Sequence, residues 1–282
     1  MENFGDKLYQ TIADARSLLF MQGEMAQLTY TSYQKFVQLI EEEKEDKISI
    51  TYPVGYKADN TPINSTHNYT KEELISRYNY LALSKLPIDG LFQLVTIIES
   101  LLGDIVRNTL IEYPVKISNK RKVDTETVLS AKSLDEIKFA IVDSIQNELA
   151  YKSPKEYAEE FNKLVSVNLL EQPPYHKYIE LKATRDIHIH NSGIANDIYT
   201  SKAATLARVK SGEHLPVDVQ YFLQSYECCL QLTEILEQEL NKIWPSPKYK
   251  AYKESIAPEE EKEDKVEQVI EEAKEEIEKK SM

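Results

Sequence analysis

Glycine is scarce, seven residues in 282. Nucleotide-binding and barrel folds spend glycine on tight turns and phosphate loops, so its scarcity points to a mainly helical chain. The only two cysteines, Cys228 and Cys229, are adjacent, a spacing that suits neither a metal pair nor a disulfide scaffold. The expectation is a reduced, cytoplasmic protein in which the sequons at Asn64 and Asn68 are chance matches. No apolar run reaches the roughly 18 to 20 residues of a membrane span, so no membrane partner is expected. The stretch Glu2-Asn3-Phe4-Gly5-Asp6 has neither the basic start nor the apolar core of a secretory leader.

What is present is a globular composition, 41% hydrophobic and 29% charged, with a net charge of −13. That total opposes nucleic-acid binding, but it is unevenly placed. Residues 259–282 hold eleven acids against five bases. Residues 177–210 run the other way, with Lys177, Lys182, Arg185, Lys202, Arg208 and Lys210 against Glu180, Asp186 and Asp197. Lys116, Lys120, Arg121 and Lys122 form a second basic cluster. A polyanion meets one face, so local sign outweighs the total; the plainer reading of each cluster is a solvated helix face.

Apolar spacing predicts a helix over 6–43, then a polar stretch over 45–70 read mostly as loop because of Pro53, Gly55 and Pro62, with a short strand at Ile48–Tyr52 as the alternative. The strongest helix covers 89–112, where Leu91, Leu94, Val95, Ile98, Leu101, Leu102 and Ile105 keep a helical period and Pro114 closes it. Ser133 with Glu136, and Ser153 with Glu156, read as capping boxes that open two more helices, the second running to about Leu169. Pro173-Pro174 starts a helix to about Ser192 that Gly193 stops, and a last long helix covers 217–243. These elements make an all-α helical bundle. The domain reading is an N-terminal helix and polar loop over 1–70, a helical domain over 71–250 and an acidic tail over 251–282. In that tail Val266, Ile270, Ala273 and Ile277 mark one apolar stripe, either solvated or partner-docking.

One stretch departs from core logic: Thr184-Arg185-Asp186-Ile187-His188-Ile189-His190-Asn191-Ser192-Gly193. As a strand it puts Asp186, His188 and His190 on one face, a partial metal site. As a helix it makes Asp186 and His190 neighbours four apart, so the carboxylate can orient the imidazole and favour its protonated form. Arginine offers phosphate oxygens a planar charged fork. Histidine for proton transfer and arginine for a phosphorane-like transition state are a minimal kit for metal-free RNA cleavage by the ribose 2′-hydroxyl. Two copies across a twofold axis supply what one lacks. The plain structural alternative is a satisfied hydrogen-bond network where a helix ends.

Arg185-Asp186-x-x-x-His190 resembles the R-x4-6-H motif of the HEPN superfamily. The extension His190-Asn191-x-Gly193, with Tyr199 downstream, resembles the HEPN branch bearing an "RH-hydrophobic-HN-x-G" signature. Context over 75–245 supports it, through Ile97-Ile98-Glu99-Ser100-Leu101-Leu102, the helix start at Lys152-Ser153-Pro154-Lys155 and Trp244-Pro245. The resemblance implies an α-helical homodimer with the two motifs facing each other, in many members a metal-independent endoribonuclease of toxin–antitoxin or anti-phage defence systems. It implies that Arg185 holds the scissile phosphate, His190 serves as general acid or base, Asp186 orients it and Asn191 adds a hydrogen bond. His188, Lys182, Lys177 and Arg208 are the expected RNA contacts. No metal or other cofactor is expected; the expected partners are RNA, a second copy and an antitoxin or defence-complex protein. Other members of the superfamily are non-catalytic interaction modules, the second reading here.

Overall fold

In the computed structural model, which describes residues 3–256, the chain is an all-α bundle with one β-hairpin. Helix α1 (Phe4–Glu42) is capped by the Asn3 side chain. Its first half buries Leu8, Ile12 and Leu19 against Leu94, Ile98 and Ile105 of α3 (Leu86–Glu112) and Leu232, Leu236 and Leu240 of α9 (Val219–Ile243). Between Leu19 and Ile40 no residue of α1 is buried. Beyond Ala26, which still packs on the main core, the helix continues to Glu42, about 24 Å at about 1.5 Å per residue.

The polar stretch at the far end of α1 is strand rather than loop. β1 (Lys47–Tyr56) and β2 (Pro62–Thr70) pair antiparallel, Ile50 opposite His67 and Tyr52 opposite Ser65. The prolines that argued for a loop stand where a strand tolerates them. Pro53 sits at the bulge before Gly55 and Pro62 opens β2, positions that need no ladder N–H. Asp59 accepts the Thr61 N–H and Asn60 takes a left-handed conformation, which closes the turn.

Thr70 and Glu73 form a capping box that starts α2 (Lys71–Tyr80), continuous with α3 through a five-residue π-helical segment at Leu81–Lys85. This helix, Lys71–Glu112, is by length and composition apolar enough to cross a membrane. Its apolar side chains are the centre of the bundle, Leu91, Leu94, Val95 and Ile98 being fully buried.

The short α4 (Thr125–Ser130) precedes α5 (Leu134–Ala150) and α6 (Pro154–Val165). The Ser153–Glu156 box is complete, whereas Glu136 reaches the Lys132 N–H instead of that of Ser133. α6 stops at Val165 because Ser166 turns left-handed, short of the expected Leu169. α7 (Pro173–His190) starts at its proline pair as expected, and α8 (Asp197–Ala203) and α10 (Pro247–Ile256) are further short helices. The apolar stripe expected at Val266–Ile277 lies outside the described residues.

Candidate functional site

Because the Arg185–His190 stretch is helical, its residues spread around α7. Asp186, His188 and His190 do not share a face, as a strand would have them. Among the described residues no three His, Cys, Asp or Glu side chains gather as ligands. The cysteines lie in the core, where burial raises the Cys228 thiol to about 12 and pushes Cys229 well up, so neither is a thiolate at neutral pH.

Three faces of α7 do three different things. The first presents Lys182, Arg185 and Asp186 to α3 and α8. Glu99 of α3 accepts from Arg185 (2.8 Å) and is ion-paired to Lys182 (2.7 Å) through the same oxygen. Arg185 Nε also lies 3.2 Å from an Asp186 oxygen, but its N–H is not aligned on it and is buried without a hydrogen bond. The other Asp186 oxygen meets Lys202 at 3.4 Å. Three cations thus share two carboxylates, which leaves one positive charge in excess. Arg185, Lys182 and Lys202 line an open recess of about 910 Å³ between α3, α5, α6 and α7, walled by Leu102, Leu149 and the rings of Tyr157, Tyr175 and Tyr178.

The second face carries His190. It lines a smaller recess of about 250 Å³ with Asn191, Asn196 and Ile198, and its exposed side chain makes no hydrogen bond among the described residues. Asp186 and Lys202 border both recesses and form the ridge between them. Asp186 is therefore spent on Arg185 and Lys202 rather than on orienting His190. Arg185 and His190 open from one helix on either side of that ridge, and a single chain does not bring them into one cleft.

The third face is structural. Glu180, 5% exposed, accepts from Thr184 (2.8 Å), Tyr199 (2.8 Å) and Arg208 (3.1 Å) on one oxygen and from Tyr221 (2.6 Å) on the other. Arg208 donates in addition to Thr184 and to the Pro216 carbonyl, and its guanidinium lies 3.5 Å over the Tyr221 ring. Burial, and then the Glu180 charge, push the Tyr221 hydroxyl well above its usual range. Arg208, expected to meet RNA, is instead a tie between α7, α8 and α9, with all three nitrogens engaged. Lys177, on the same side of α7, is exposed and lines neither recess.

The motif's last residues close the helix. Both the Asn191 and the Gly193 N–H converge on the Ile187 carbonyl, and the Asn191 side-chain amide donates to the Ile194 carbonyl. His188 is half-buried and donates from Nε2 to the Leu215 carbonyl at 2.9 Å, which fixes its tautomer. Desolvation lowers its pKa, so it stays neutral. Gly193 has φ +77°, and a Cβ there would lie 3.1 Å from the His188 ring. Pairing of residues 193–195 with 212–215 then pins the helix end. Asn191, His188 and Gly193 thus hold the turn that presents His190.

The sequence reading missed the role of Glu99 as the shared anion and that of Lys202 as the ridge. The signal for Glu99 was its own position, a carboxylate in the most apolar helix, which needs a cation to be tolerated there. Lys202 had no such signal. No family model, curated protein or solved structure matches the chain.

Proposed function

We propose that the chain is a metal-independent endoribonuclease of HEPN type whose working site is assembled from two copies. The observation that carries this is the division across the ridge: Arg185 stands with Lys182 and Lys202 in one recess, and His190 stands untied in the next. A phosphate over the ridge of one chain meets cations on one side. The twofold mate contributes the imidazole that the first chain holds out of reach. In the reaction the ribose 2′-oxygen attacks phosphorus while the partner's His190 takes its proton. The 5′-oxygen leaves with a proton from solvent water, which gives a 2′,3′-cyclic phosphate and a 5′-hydroxyl, and the imidazolium returns its proton to the hydroxide left behind. Arg185 neutralises the charge that builds on the non-bridging oxygens. A cytoplasmic toxin or anti-phage role, and an antitoxin or defence-complex partner, belong to the same proposal.

The test is cleavage of labelled single-stranded RNA in EDTA. Arg185→Ala and His190→Ala are each expected to slow cleavage about 100-fold or more. Mixing the two inactive variants is expected to restore activity, because a mixed dimer holds an intact Arg185 and an intact His190 across its axis. Full activity in both variants would sink the assignment, and inactivity of the mixture would sink the shared site. A second reading, a non-catalytic interaction module, draws on the pairing of Arg185 with Glu99 and Asp186 in the chain itself. It predicts RNA binding without cleavage by the unaltered protein.

A further inference from the structure

The larger recess holds more than a phosphate requires. Its rim is formed where α5 ends at Ala150 and α6 starts at its Ser153 cap, leaving Tyr151 and Lys152 as the connection. Tyr151 is 93% exposed, a whole aromatic ring held in water at the mouth of a cavity. Among the described residues nothing bonds to its hydroxyl or covers its ring. Tyr175 and Tyr178, by contrast, are almost wholly buried in the wall, and the Tyr175 hydroxyl is spent on the Pro154 carbonyl. The Tyr157 hydroxyl has no partner among the described residues, although its ring is largely buried and desolvation raises its pKa, so it stays a neutral donor facing the cavity. Lys182, Arg185 and Lys202 add cations to the lining, beside the carboxylates Glu99, Glu156 and Asp186.

A free ring, a partly apolar chamber with an unused hydroxyl and a cluster of cations select a ligand with a flat π-face, polar edges and an anionic group. The volume, about 910 Å³, falls within the range of roughly 300–1,000 Å³ of small-ligand sites. An acidic peptide would use the cations and leave the ring idle, and a fatty acid would leave the hydroxyl idle. We infer that this recess is a site for one nucleotide, its base stacked on Tyr151 and its phosphate held by Lys182, Arg185 and Lys202. The nucleotide is either a unit of a single-stranded RNA or a free mononucleotide. The choice of an RNA strand rests on the function proposed above; the nucleotide chemistry does not.

The experiment uses the full chain carrying His190→Ala, which lies in the other recess, so that binding is read without cleavage. A fluorescent single-stranded RNA of about ten nucleotides is titrated in EDTA and competed with adenosine monophosphate and with inorganic polyphosphate. Stacking of a base on an aromatic ring leads us to expect Tyr151→Ala to weaken RNA binding about tenfold. Tyr151→Phe keeps the ring and is expected to bind like the parent. The melting temperature is expected to stay the same in both, since the ring is exposed. Competition by the monophosphate would show that the site takes free nucleotide, and its absence alongside the Tyr151→Ala loss would assign the nucleotide to a strand. Parent-like binding by Tyr151→Ala, equal loss in Tyr151→Phe, equal competition by polyphosphate, or no binding of either probe would each overturn the inference. If the Tyr151 effect appears while the unaltered protein never cleaves RNA, the nuclease reading fails and the site stands. If cleavage is intact but the Tyr151 effect is absent, only the site fails.

Discussion

Replacing Arg208 with alanine separates a basic residue that reads as an RNA contact from one that holds the bundle together. The change leaves Glu180, with a side chain only 7% exposed, without its cation. Removing one partner of a buried ion pair costs about 3–5 kcal/mol. Here the lower end applies, because the Arg208 side chain is 24% exposed and Thr184, Tyr199 and Tyr221 still donate to the carboxylate. Loss of the guanidinium over the Tyr221 ring adds to the cost. At about 2–4 °C per kcal/mol for a chain of this class, Arg208→Ala should melt about 6–12 °C lower. The Glu180→Gln/Arg208→Ala double variant should fall well short of the sum of the single losses, since both remove one contact. RNA affinity is measured across a salt series at a temperature where the variant is folded. A phosphate contact contributes about 0.7 to the slope of log affinity against log salt for a single strand. The expected slope is that of the parent. A slope reduced by about 0.7 with the melting point within about 2 °C of the parent would refute the structural assignment of Arg208.

Two further outcomes follow from the same geometry. Glu99→Gln removes the anion shared by Lys182 and Arg185, so RNA should bind more tightly, with a salt slope steeper by about 0.7 per cation released; weaker binding would mean that Glu99 serves to position Arg185. His188 has its pKa lowered by burial below the ordinary 6.5. As pH falls from about 6.5 the unfolded chain takes up a proton that the folded chain refuses, so stability is present above that value and is lost towards the lowered one. Urea midpoints at pH 7.5 and 5.5 should therefore fall further for the parent than for His188→Gln, whose amide still donates to the Leu215 carbonyl; an equal fall in both would assign the loss to other groups.

The sequence alone determined the elements whose stability is local. The helical period of Leu91–Ile105, the proline pair that starts α7, the Ser153–Glu156 box and the stop at Gly193 are all present in the structure. Each is set by contacts three or four residues apart or by a backbone conformation only glycine accepts readily. The hairpin escaped because composition weighs a proline wherever it falls, whereas a ladder penalises only the prolines whose missing N–H would have bonded the partner strand. The candidate site was legible as a list of residues and not as an arrangement. Arg185 meets Glu99 across 86 positions, and Arg208 meets Glu180 across 28. No period or motif links such pairs, so the spacing of Asp186 and His190 suggested a partnership that Lys202 takes instead. An ion pair forms with whichever opposite charge the packing of helices brings within about 4 Å. Which bases faced a cavity and which were consumed inside the bundle was therefore decided only when α3, α7, α8 and α9 came together.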